Sequence, residues 1–138
     1  MAGIETLGLP LAIAVGLSDP AAAAERIRIT SDWGSVVTTL GDNAAVRALV
    51  AQLPLTITMR DHLRQEKTGS LPQPLPDGER RRDFTAGMLG LWGDSDFVVY
   101  YRAGRVPSPG IVPLGAVTGD VSLFDRPGTV TVIVEAVE

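Results

Sequence analysis

The densest chemistry in the chain is the stretch "RDHLRQEK" at residues 60–67. It gathers Arg60, Asp61, His62, Arg64, Glu66 and Lys67 just ahead of a long proline-rich run. Charged residues beside a long surface loop are a natural place for recognition, and Arg60 and Glu66 are the two candidates for ligand contact. His62 is the one imidazole of the chain and the natural general base near neutral pH. A lone exposed histidine next to an aspartate is more often a surface residue, so no catalytic residue is assigned. The competing interpretation is a solvated turn whose ion pairs are each worth at most about 1 kcal/mol.

A second group is aromatic. Trp92, Tyr100 and Tyr101 fall in "GMLGLW" and "DFVVYY", two runs separated by the turn-like "GDS". Successive strand residues point to opposite faces, so one of the two tyrosines packs inward while the other is free to bind. Trp92 and Tyr101 are taken as ligand contacts, because a rigid ring with a polar tip suits a proline ring or another flat ligand. "GDSD" (residues 93–96) resembles a nucleophilic-serine motif but lacks the strand, sharp turn and helix that such a serine needs. The arginines of "ERRRD" (residues 79–83) alternate with acids and read as solvated and paired.

Composition narrows the alternatives. With 138 residues, 45% of them apolar, the chain has the size and core of a single domain. Its net charge of −4 is spread along the sequence, which argues against a nucleic-acid partner. Without cysteine and with one histidine, it can form neither a disulfide nor a Cys/His metal centre, and no cofactor is expected. Residues 1–24 read as a signal peptide or an N-terminal tail: "LGLPLAIAVGL" is too short to span a bilayer and "AAAAE" offers small residues for cleavage. The leader lacks a basic start, but its pattern leads us to expect export to the periplasm or beyond, and no integral membrane segment.

The elements that must position these residues follow from periodicity. "RIRIT" and "SVVTTL" alternate as two strands of a hairpin. "GDNAAVRALVAQLP" switches to helical spacing at Val46, Leu49, Val50 and Leu53, with Asp42 or Asn43 as cap and Pro54 as the stop. "PLTITMR" is a strand that buries Leu55, Ile57 and Met59 and exposes Thr56, Thr58 and Arg60. Residues 68–83, with three prolines and two glycines, read as a surface loop. "FTAGMLGLW", "DFVVYYR", "IVPLGAVTG", "VSLF" and "GTVTVIVEAVE" supply further strands. About eight strands and one clear helix predict a mainly β protein whose sheet closes into a barrel, since closure removes unpaired edges.

"LPLTITM", the "EK" beyond it, "GMLGLW", "DFVVYY", "SPGIVPLGAV" and the final Val/Thr strand together resemble the bacterial cyclophilin-like fold proteins, small barrels mostly of unknown function. The resemblance covers residues 26–138 and implies a cyclophilin-like barrel over residues 25–138. In those relatives an Asp usually follows the first Gly of the "GMLGLW" strand and a Tyr precedes its Trp; here Met88 and Leu91 stand there. True cyclophilins use an Arg to polarise the prolyl amide, beside an apolar proline pocket. Arg60 and Arg64 lie in the matching region, but no "FxxQ" cluster accompanies them. The resulting expectation is a barrel that binds a peptide or small molecule in a groove at one end, with little or no isomerase activity. The alternatives are a peptidyl-prolyl isomerase that uses Arg60 or Arg64, and a protein-interaction module.

Overall fold

Ten strands are described: β1 (Arg26–Ser31), β2 (Gly34–Leu40), β3 (Leu55–His62), β4 (Glu66–Ser70), β5 (Asp83–Phe84), β6 (Met88–Trp92), β7 (Asp96–Tyr100), β8 (Gly104–Arg105), β9 (Ile111–Val117) and β10 (Val130–Ala136). They belong to a computed structural model that describes residues 25–138; the leader-like segment lies outside the described residues. Eight of the strands close an antiparallel barrel in the order β1-β10-β3-β4-β7-β6-β9-β2, and β5 and β8 pair as a separate two-stranded sheet.

Alternation sorts the side chains as anticipated on β3. Ile57 and Met59 are 2% and 0% exposed inside the barrel, while Thr56, Thr58 and Arg60 face outward. Facing strands complete the interior with Ile29, Val36, Leu91, Phe97, Val99, Val132 and Val134. The helix α1 (Ala44–Val50) closes over this core through Ala45, Val46 and Leu49. Asn43 is its cap: Oδ1 accepts from the Val46 N–H at 2.8 Å, and Nδ2 donates to the Pro113 carbonyl at 3.1 Å, tying the helix to β9. The helix ends at Val50, a turn before the proline stop, and Val50 and Leu53 pack against the core from its edge.

Three sequence expectations are corrected. The run from residue 68 is not wholly loop, since Thr68–Ser70 completes β4, and Leu71 and Leu75 beyond it are buried. Glycine and prolines gave the run its loop-like appearance. Gly69 is present because β4 lies so close to β3 that a Cβ there would come within 2.6 Å of both Ile57 Cγ2 and the Thr58 carbonyl. "VSLF" is a 3-10 helix (Val121–Phe124) rather than a strand. Asp120 caps it by accepting from the Ser122 N–H at 3.0 Å, and Phe124 enters the core with no exposure. The total of eight barrel strands therefore stands with β4 in place of "VSLF". The arginines of "ERRRD" are also more engaged than solvation implies: Arg80 donates to the carbonyls of Gly93 and Gly110, and Arg82 to that of Val106.

A second apolar cluster lies on the outside of the barrel wall. Phe84, Met88, Val98, Tyr100, Val106 and Ile111 pack together, with Trp92 at the margin. The β5–β8 sheet covers them, and Phe84 stacks on Tyr100 with ring centroids 3.9 Å apart. Gly104 admits that ring, since a Cβ there would fall 2.6 Å from Phe84 Cζ. The two departures from the resembled family are both absorbed by packing. Leu91 is buried inside the barrel and Met88 in this outer cluster.

Candidate functional site

Beside the outer cluster a groove of about 320 Å³ runs along the wall formed by β3, β4, β7 and β6, up to the β3–β4 turn. Its floor follows from register. Arg60 pairs with Thr68, His62 with Glu66 and Glu66 with Tyr100, so side chains of three neighbouring strands meet on one face. Trp92 from β6 and Arg105, Val106 and Pro107 from the β8 region complete its lining.

Glu66 is the unusual group. Its side chain is 8% exposed, Oε2 lies 3.5 Å from His62 Nδ1, and Oε1 accepts from Gln65 Nε2 at 2.9 Å. Burial raises its pKa, and the hydrogen bond from Gln65 with the nearby His62 and Arg60 offsets only part of that effect. Tyr100 beside it is fully buried, and its hydroxyl has no hydrogen-bond partner. Desolvation and the neighbouring Glu66 charge push the phenol upward, so it stays a neutral donor. Arg60 is exposed and forms no ion pair among the described residues.

The turn that ends the groove is strained. Leu63 and Arg64 adopt φ of 55° and 53°, a left-handed geometry that favours Asn and Gly. Leu63 is nevertheless a leucine, 74% exposed, at the groove rim.

Of the residues singled out in the sequence, Arg60, Glu66 and Trp92 line this one groove. Tyr101 does not join them. Its side chain turns into the barrel, where the hydroxyl donates to Asp61 Oδ1 at 2.6 Å, and burial with that bond raises its pKa to about 12. Tyr100 takes the groove position instead. The run "FVVYY" is buried on both faces, so its composition could not say which tyrosine faced which way. Arg64 also lies apart from the groove lining, held at 3.0 Å to Asp125. The groove lies on the outer wall rather than in the barrel mouth, because Arg60, His62 and Glu66 all have outward parity. The mouth is filled by Lys67, whose Nζ donates to Asp61 and to the carbonyls of Arg126 and Gly128. No group of His, Asp or Glu among the described residues is arranged to hold a metal ion.

Fold and groove together define a small antiparallel β-barrel with a recessed polar site on its outer wall. Over residues 29–135 the chain matches the model of the cyclophilin-like family, and it belongs to that family. Among solved structures it is similar to a hypothetical protein from Archaeoglobus fulgidus determined in solution, with a TM-score of 0.66 and 15% identity over 83% of this chain and 95% of that one. At that identity the likeness shows the fold. No curated protein matches the chain. No helix among the described residues is long and apolar enough to cross a membrane.

Proposed function

We propose that the groove on the outer wall is a binding site for a peptide or small ligand, and that the protein has little or no prolyl isomerase activity. The observation that carries this reading is the buried pair of Glu66 and Tyr100 at the groove floor, polar groups desolvated in a recess that also presents Trp92, Val106 and Pro107. Such recesses with a few converging polar groups are the usual form of ligand sites, and a concavity favours a ligand over a flat docking face. The isomerase alternative requires a dry apolar pocket for the proline ring beside a directed donor, to lower a barrier of about 18–20 kcal/mol. Arg60 offers the donor, but it stands opposite Thr68 in a groove that also holds His62 and Glu66, not beside a dry apolar wall.

Titration of the isotopically labelled protein with an alanyl-prolyl tetrapeptide and with indole, followed by NMR, tests the binding site. Shifts centred on Glu66, Trp92 and Tyr100 support it; shifts elsewhere only, or none, remove it. Export belongs to the same proposal and rests on the leader-like residues 1–24. Cell fractionation that leaves the chain wholly in the cytosol overturns that part.

A further inference from the structure

Most of the charged groups that line the groove are already matched. Arg105 lies 3.3 Å from Asp83, and His62 lies 3.5 Å from Glu66, whose other oxygen accepts from Gln65. Two remain: Arg60 is exposed and Asp96 half-buried, and neither enters an ion pair among the described residues. Register explains why these opposite charges do not find each other. Arg60 on β3 pairs with Thr68 on β4, Thr68 pairs with Val98 on β7, and Asp96 stands two residues before Val98. Two strand spacings across and two residues along separate the Cα atoms of Arg60 and Asp96 by on the order of 12 Å. Asp96 shares the outward parity of Val98 and Tyr100, and it pairs directly with Trp92 on β6. Cross-strand partners on one face hold their Cβ atoms about 4.5–5.5 Å apart, so the carboxylate and the indole ring are presented together.

A carboxylate beside an indole ring is a good seat for an ammonium, which gains both the opposite charge and the negative face of the ring. An unpaired guanidinium is a good seat for a carboxylate, which it can hold with two parallel hydrogen bonds. A simple cation is repelled by Arg60 and a simple anion by Asp96, so the two together select a molecule that carries both charges, one at each end. A single α-amino acid holds them on one carbon, too close to reach both seats, whereas three extended residues span up to about 10 Å. We infer that the groove takes a short unblocked peptide of two or three residues, its terminal carboxylate on Arg60 and its terminal ammonium between Asp96 and Trp92. Val106 and Pro107 give its side chains an apolar surface. This inference rests on the binding role proposed above and gives it a ligand class.

The test titrates the full chain, followed by NMR, with trialanine, N-acetyl-trialanine and trialanine amide. Trialanine should shift Arg60, Trp92 and Asp96, and each blocked form should bind at least fivefold more weakly, since each loses one charge-assisted contact. These comparisons are read on the unmodified protein, so they do not depend on the folding of any variant. Two variants then assign the ends. Asp96→Asn should weaken trialanine and its amide but leave the acetylated form unchanged, while Arg60→Gln should weaken trialanine and the acetylated form but leave the amide unchanged. Equal binding of the three peptides overturns the inference, as does a loss in the variants that takes no account of which end is blocked. If indole shifts the groove and no form of trialanine does, the inference falls alone; if indole, the alanyl-prolyl tetrapeptide and trialanine all fail to shift it, the binding role falls too.

Discussion

The hydroxyl of Tyr101 donates to Asp61 Oδ1 at 2.6 Å, and the same oxygen accepts from Lys67 Nζ at 3.1 Å. One carboxylate oxygen thus joins the end of β7 to β3 and β4 at the barrel mouth, on the opposite side of the wall from the groove. Lys67 is completely buried, with all three ammonium protons used, and the Trp33 ring lies 5.0 Å from its nitrogen. Neighbouring tyrosines therefore serve different ends: Tyr101 closes the barrel and Tyr100 floors the groove.

Replacing Lys67 with Ala should be among the most damaging single changes. It takes the charged partner from Asp61 and the donor from the carbonyls of Arg126 and Gly128, and the loss of one partner from a buried ion pair costs about 3–5 kcal/mol. Urea denaturation should show the midpoint falling sharply, whereas Arg47→Ala, which breaks an exposed pair with Asp42, should barely move it.

Acid should weaken the mouth. Burial alone would raise Asp61, but the hydrogen bonds from Tyr101 and Lys67 outweigh it and hold its pKa below the usual value. A carboxylate with a lowered folded pKa contributes stability that is present above its unfolded value of about 3.9 and is lost as pH falls through the folded one. Melting temperatures measured through that window should decline more steeply for the parent than for Asp61→Asn, which starts lower and has less to lose.

Glu66 should behave in the opposite sense. Its folded pKa is raised, so its contribution is most favourable below the unfolded value of about 4.3 and is lost as pH rises through the folded one. Glu66→Gln should therefore gain stability over the parent at neutral pH, and the difference should vanish in acid. A uniform gain at every pH would mean that the carboxylate charge is not the cause.

On β3, Ile57→Ala should cost about 2–5 kcal/mol by opening a cavity, and Thr58→Ala far less. Comparable losses at the two positions would contradict the observed parity, in which Ile57 is 2% exposed and Thr58 faces outward.

Prolyl isomerisation of a standard Xaa-Pro peptide should be slow or undetectable, and unaffected by Arg64→Ala, since Arg64 lies apart from the groove lining. Robust turnover that collapses in Arg60→Ala would restore the isomerase reading.

Much of this architecture was legible in the sequence wherever one face of an element is polar. Leu55, Ile57 and Met59 alternate with Thr56, Thr58 and Arg60, so the inward face of β3 could be read, and Asp42 or Asn43 marked the helix start, of which Asn43 is the cap. Legibility failed where both faces are buried or where a residue type has two uses. The doubly buried run of β7 hid which tyrosine faced the groove, and Gly69 looked like loop when it was there to let two strands touch. Arg60, Glu66 and Trp92 could be picked out because they are conspicuous types near turns. Their order across the wall could not, because β4 meets β7 only through long-range pairing. Leu63 gave no signal, since a left-handed turn position is ordinarily marked by Gly or Asn and not by leucine.

The barrel order has a bearing on synthesis. β10 is the last barrel strand in chain order, yet it sits between β1 and β3. Until the final strand arrives to join them, the first and third strands have their facing edges bare. Until then those edges are open to mispairing with another chain. Closure of this barrel thus requires nearly the whole domain, because β10 alone fills the gap between β1 and β3.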